Sequence, residues 1–182
     1  MFDFDRVIDR RGTHASKWDM MAKLSGITAA DGIPMWVADM DFAAPPGVTA
    51  ALTEVVNRAV HGYYADTGSW AIALAEWMAR RHGLTIDPGW VSPTPGVVSG
   101  LGLILQAVTE PGDEVVVFPP AYHAFRKIIL ANDRRILDAQ LSLQQGRYAM
   151  DLDALATKLT PRTKIVFFCS PHNPGGTVWS VE

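Results

Sequence analysis

The chain has 182 residues, enough for one domain and a fraction of another. With 48% apolar and 19% charged residues it supports a packed core and excludes general disorder. Lys and Arg number 16 against 19 Asp and Glu, a net charge of −3 that excludes a broad electrostatic grip on nucleic acid, and the lone Cys169 excludes both a disulfide scaffold and a multi-cysteine metal site.

In chain order, the first ten residues carry too many charges for a secretory signal. Residues 1–46 lack a helix–strand alternation and read as an extended arm, with Pro34-Met-Trp-Val37 a weak strand candidate. From Gly47 to His61, apolar Val48, Leu52, Val55, Val56 and Ala59 line one helical face. Ser69 can cap a second helix, Trp70 to His82, which ends at Gly83 with Arg80, Arg81 and His82 in its last turn, where positive charge suits the helix dipole. Val97 to Val108 is apolar nearly all round and predicts a buried helix; its 12 residues are too few to cross a bilayer.

Beyond it, helix and strand alternate. Val115-Val-Val-Phe118 and Ile165-Val-Phe-Phe-Cys169 are unbroken apolar runs of the kind covered on both faces, and Ile136 to Leu143 is a weaker strand. Tyr122 to Ala131 and Leu152 to Leu159 are expected as helices, the latter capped by Asp151. The fold class is therefore α/β with a mostly parallel sheet. The chain stops at Val178-Trp-Ser-Val-Glu182, after a strand and a glycine turn where such a fold would next place a helix, so it reads as the front portion of a larger, cytoplasmic protein.

Three segments could carry chemistry. Thr94-Pro-Gly-Val-Val-Ser-Gly100 sets a glycine turn before a helix, where free N–H groups and the positive helix end suit a phosphate. Pro119-Pro-Ala-Tyr122 follows a strand and could lay an aromatic ring on a flat ligand. Ser170-Pro-His-Asn-Pro-Gly-Gly176 follows another strand and would present the Asn173 amide rigidly. Taken singly, each also reads as an ordinary turn or core aromatic. Together they would hold a flat, phosphorylated aromatic cofactor. The five histidines show no metal-ligand spacing, and Cys169 reads as an inert buried thiol.

These segments, with Pro111-Gly-Asp-Glu-Val, resemble in order and spacing the fold-type I pyridoxal-phosphate enzymes of the class I/II aminotransferase superfamily. Lys17-Trp-Asp19, Pro34-Met-Trp-Val-Ala-Asp-Met-Asp-Phe42, Gly62-Tyr63 and Arg81-His-Gly83 are similar to the MalY/PatB group of cystathionine β-lyase-like C–S lyases. The resemblance implies a three-layer large domain, begun by residues 47–182, preceded by residues 1–46 as an arm and part of a small domain. It implies that the amides of Gly96, Val97 and Val98 hold the phosphate of pyridoxal 5'-phosphate. Tyr122 would stack on the ring, and Asn173 would bond the ring's 3-oxygen. Tyr63 would reach the phosphate of the other subunit of a homodimer, with Ala38 and Asp39 near the carboxylate of an amino-acid substrate. It further implies cis bonds at Pro119–Pro120 and Asn173–Pro174.

The activity implied is cleavage of cystathionine or a related cysteine S-conjugate to a thiol, pyruvate and ammonia. Neither nucleic acid nor membrane is an expected partner. None of Lys17, Lys23, Lys127, Lys158 and Lys164 lies in the family's Schiff-base lysine motif, so the chain taken alone is expected to hold no catalytic residue and to be inactive. Trp18, Met35, Trp36, Met40 and Phe42 are expected to leave an apolar patch exposed. An aminotransferase on the same fold, or a non-catalytic regulatory or interaction protein, are the competing readings.

Overall fold

The computed structural model describes residues 3–28, 30–65 and 67–180. Its contacts divide the chain into two compact units, Met1–Asp66 and Thr67–Glu182.

The first unit is less extended than its sequence suggests. It holds two short helices, α1 (Ser16–Asp19) and α2 (Met21–Ser25), and a longer one, α3 (Pro46–Asn57). Gly26 closes α2 in the left-handed region at φ 74°, a conformation that favours glycine. Pro34–Val37 is not a strand: the chain bends there, and the Trp36 indole N–H donates to the Lys17 carbonyl at 3.1 Å. The apolar stripe of α3 is present, but Val48, Leu52 and Val56 all lie exposed. Met35 at 89% and Met40 at 74% are also exposed, as are Trp36 and Phe42. Trp18 departs from that expectation, being half-buried, because its indole N–H is held by Asp41 at 2.9 Å.

The second unit begins with α4 (Ser69–His82). Ser69 is its first helical residue rather than its cap; Gly68, at φ 68°, takes the cap position. Gly83 ends the helix at φ 63°, giving its N–H to the Ala79 carbonyl, while the next residue, Leu84, gives its N–H to the Met78 carbonyl. Then follow α5 (Val97–Val108), β1 (Glu114–Val117), α6 (His123–Ala131), β2 (Arg135–Asp138), β3 (Ser142–Gln144), β4 (Arg147–Ala149), α7 (Leu152–Lys158) and β5 (Thr163–Val166).

The strands β2-β1-β5 form a parallel sheet with β1 in the middle. Val115, Val116 and Val117 are fully buried, as an unbroken β-branched run on a central strand should be. On one face Val115 and Val117 pack with Leu105 of α5, Ile129 of α6 and Phe167. On the other, Val116 and Phe118 meet Ala139 and Leu141, backed by Tyr148, Leu155 and Trp179. The architecture is thus α/β in three layers.

Helices α5 and α6 approach closely at Gly102, where a Cβ would stand 3.0 Å from the Ile128 side chain. The carboxyl end of α5 is fixed by Arg134, whose guanidinium reaches the carbonyls of Leu105, Thr109 and Asn132. The helix is less enclosed than its apolar composition predicts, with Leu103, Ile104 and Val108 exposed.

Two strand expectations need correction. The run Ile136–Leu143 splits, its front joining the sheet as β2 and its end opening a hairpin, β3–β4, around Gln145-Gly146. Both turn residues have positive φ, 49° and 78°, as a two-residue hairpin loop requires. The second is β5, which is covered on one face only. Ile165 and Phe167 face the helices, whereas Val166 and Phe168 line an open cleft of about 1030 Å³ with Tyr148, Met150, Leu155 and Trp179.

Candidate functional site

Parallel strands present their carboxyl ends to one side, and the loops that follow them are where open α/β sheets gather ligand contacts. At the end of β1, Phe118 leads into a cis Pro119–Pro120 bond and then Ala121 and Tyr122. Tyr122 sits at the amino cap of α6. Its half-buried ring packs edge-on against His123 and Phe125, with centroids 4.9 and 5.6 Å away. At the end of β5, Phe167 still bonds to Val116, after which the chain turns through cis bonds at Ser170–Pro171 and Asn173–Pro174. Both cis bonds implied by the resemblance are present, together with a third at Ser170–Pro171.

The amino end of α5 belongs to the same side. Arg134 and Thr109 tie the carboxyl end of α5 to the residue before β2, so α5 runs back along the sheet, about 18 Å for 12 residues. It therefore starts beyond the strands' carboxyl ends. Gly96, at φ 91° and ψ 151°, makes the entry turn; no other residue type adopts that backbone readily, although a Cβ there would meet open space.

The donors at this turn differ by one from expectation. The Gly96 N–H is taken by the Thr94 carbonyl at 2.7 Å, so the N–H groups without an acceptor among the described residues are those of Val97, Val98 and Ser99. The Thr94 hydroxyl braces the turn from beneath, donating to the Gly96 carbonyl at 3.1 Å and touching Gly100.

The Asn173 side chain is exposed and makes no hydrogen bond among the described residues. It is flanked by a residue that the sequence alone did not single out. His172 is buried, and its ring Nε2 lies 3.2 Å from the Phe118 carbonyl, linking the loop after β5 to the end of β1. The only signal for it was a histidine wedged between Pro171 and Asn173 in a loop that follows an apolar strand. The donor set, open backbone N–H groups, a free amide and an aromatic face, fits a planar, phosphorylated ring. Cys169 is half-buried rather than enclosed, and its thiol points to the Pro171 carbonyl. No cluster of metal-ligating side chains occurs among the described residues.

The remaining predicted positions lie in the first unit. Tyr63 is fully exposed, and Ala38 is exposed. Asp39 accepts from Arg10 at 2.6 Å, and the same guanidinium bonds Asp41 at 2.9 Å. Asp41 also receives Lys17 Nζ at 2.7 Å and the Trp18 indole. This clasp pins the segment that carries Ala38 and Asp39 onto α1. The Lys17 ammonium, then the Trp18 indole and Arg10, hold the Asp41 carboxyl well below the usual carboxylate range. A depressed folded value stabilises the clasp above the unfolded value, near 4, and is lost only as pH falls through the folded one. Acid titration followed by the fluorescence difference between the wild type and Trp18→Phe should accordingly show no Trp18 transition near pH 4. A transition at the ordinary carboxylate midpoint would contradict the clasp.

Among the lysines, Lys17 is engaged by Asp41, and Lys158 donates to the Asp138 carbonyl. Among the described residues no lysine hydrogen-bonds to the Tyr122 or Asn173 side chain.

The family model described as "Aminotransferase class I and II" matches residues 34–182. The chain is 43% identical to the cystathionine β-lyase PatB of Bacillus subtilis (strain 168) over 181 residues, 99% of this chain and 46% of that protein. It is 35% identical to the protein MalY of Escherichia coli (strain K12), covering 100% of this chain and 47% of the relative. Among solved structures, cystalysin of Treponema denticola, which contains a pyridoxal 5'-phosphate cofactor, superposes with a TM-score of 0.90 at 32% identity. That match covers 100% of this chain and 46% of cystalysin. The chain spans about half the length of the relatives it matches.

Proposed function

The chain belongs to the aminotransferase class I and II family, and on that premise we propose that it supplies the phosphate, ring-face and ring-oxygen contacts of a pyridoxal 5'-phosphate-dependent C–S β-lyase. The substrate is cystathionine or a related cysteine S-conjugate, and the products are a thiol, pyruvate and ammonia. In this reading residues 47–182 begin the large cofactor-binding domain, and residues 1–46 form an arm and part of a small domain. The observation that carries it is the likeness to PatB, which extends over 99% of this chain, the Met35–Phe42 segment included.

When bound, pyridoxal phosphate supplies an electron sink for charge developing at the substrate Cα. The chain's own residues hold and orient it. The N–H groups of Val97 and Val98, at the positive end of α5, bind the phosphate, and Gly96 bends the backbone so that they face outward. The half-buried Tyr122 ring covers one face of the pyridine and excludes water from it. The Asn173 amide donates to the ring oxygen.

In this reading Ala38 and Asp39, whose carboxylate is fixed by Arg10, serve the substrate's carboxylate. Tyr63 reaches the phosphate bound by a second copy. Its full exposure, with that of Met35, Met40 and the α3 stripe, supports a homodimer in which these side chains become covered.

Pyridoxal 5'-phosphate added to the chain should quench tryptophan fluorescence saturably, and Gly96→Val should weaken that binding about tenfold or more by straining the turn. Binding that is unchanged in Gly96→Val would sink the phosphate assignment. For the reaction, protein expressed from the intact gene should release pyruvate and thiol from cystathionine in equal amounts. Transfer of the amino group to an oxo acid without thiol release would favour the aminotransferase instead.

A further inference from the structure

His172 is 5% exposed, yet it lies within a loop that turns at the sheet's carboxyl end. Four hydrogen bonds converge on it. Its backbone N–H donates to the Thr177 carbonyl at 2.8 Å, and its carbonyl accepts from the Gly176 N–H at 2.6 Å. Ring Nδ1 accepts from the Gly175 N–H at 3.3 Å, which leaves the ring proton on Nε2, 3.2 Å from the Phe118 carbonyl. Both ring nitrogens are thus used, Nδ1 as acceptor and Nε2 as donor. The Trp179 ring lies edge-on to it at 5.5 Å, and Tyr148 lies 6.1 Å away. Gly175 closes the remaining side so tightly that a Cβ would fall 2.8 Å from Nδ1 and 2.5 Å from the Tyr148 ring.

The two nitrogens do different work. The Nδ1 bond is local and shapes the turn that follows Asn173. The Nε2 bond spans 54 residues and joins that turn to Phe118, four residues before Tyr122. We propose that His172 is a positioning residue whose Nε2–H, given to the Phe118 carbonyl, fixes the separation between the Asn173 amide and the Tyr122 ring. The consequence for cofactor binding rests on the reading above, but the linkage itself is a property of the chain.

Two substitutions separate the two bonds. His172→Gln places an amide N–H near the Nε2 position and keeps the Phe118 link while losing the Nδ1 acceptor. His172→Asn places an oxygen near Nδ1 and keeps the Gly175 bond while losing Phe118. In the ligand-free full chain, the Asn173 side-chain amide should give one sharp pair of ¹⁵N-resolved resonances in the wild type and in His172→Gln. In His172→Asn they should shift and broaden.

Titration with pyridoxal 5'-phosphate should then show His172→Asn binding about tenfold more weakly, with His172→Gln close to the wild type. Rescue by Asn rather than Gln, or Asn173 resonances alike in all three proteins, overturns the proposal. Should His172→Asn fail to fold, Asn173 resonances in His172→Gln that differ from those of the wild type overturn it equally. If the resonances behave as stated but the wild type binds no pyridoxal phosphate, the linkage stands and the cofactor reading falls.

Discussion

Replacing Arg134 by methionine should lower the stability of the second unit by about 3–4 kcal/mol, a large part of what a domain of ordinary stability possesses. Arg134 is only 8% exposed, and no carboxylate among the described residues pairs with it. Its fork is filled by oxygens at the carboxyl ends of α5 and α6 instead. Nε donates to the Thr109 hydroxyl at 2.8 Å, Nη1 to the Asn132 carbonyl at 2.6 Å, and Nη2 to the carbonyls of Thr109 at 2.5 Å and Leu105 at 3.2 Å. The negative end of the helix dipole compensates the charge. Methionine would fill the volume but leave buried carbonyls unpaired. Lysine would restore the charge without the fork, recovering only part of the loss. Urea unfolding measures both variants, and a methionine variant within about 0.5 kcal/mol of the wild type would refute this account.

Leu105→Ala should cost a comparable amount, about 2–5 kcal/mol, for a different reason. Leu105 is fully buried where α5 meets Val115, Val117, Ile129 and Phe167. Truncation removes contacts to the sheet and to α6 together and leaves a cavity that rigid β-branched neighbours cannot collapse into. Leu105→Met, of similar volume, should cost less than about 1.5 kcal/mol. Thermal unfolding of the pair separates lost volume from lost branching. Equal losses would mean the site is loosely packed.

Much of this arrangement was legible in the sequence where one physical signal dominated. β1 was readable because three consecutive valines and a phenylalanine admit little but a doubly covered strand. The α4 end was readable because glycine and three basic residues converge there. The sharp turns at Gly96, before Tyr122 and at Asn173 were readable because glycine, proline and asparagine restrict the backbone locally.

Much of what stayed hidden depends on distant partners, and the rest on fine local geometry. Pro34–Val37 has strand-like composition, but no strand among the described residues pairs with it, and Trp36 finds Lys17 instead. The hairpin β3–β4 is largely polar, and its Gln145-Gly146 turn lacks the stronger Asn-Gly signal. Ser69 had the chemistry of a cap, but Gly68 reached the required conformation first. That the Gly96 N–H is spent on Thr94 is a matter of a few tenths of an ångström, beyond any pattern. The Arg10–Lys17–Asp41 clasp joins residues 24 to 31 positions apart, and only the folded chain displays it.

The strand order β2-β1-β5 also bears on how the protein is made. Strand β1 can pair with β2 after only a short crossover through α6, but its other edge waits for Thr163–Val166. At translation speeds of about 5–20 residues per second, the 28 residues from Asp138 to Val166 leave that edge open for roughly 1–6 s after β2 is complete. During that interval Val115, Val116 and Val117 present a bare, apolar hydrogen-bonding rim to the crowded exterior of the ribosome. The nascent chain is then at its most vulnerable to mispairing, and slower codons between β2 and β5 would prolong the exposure rather than relieve it.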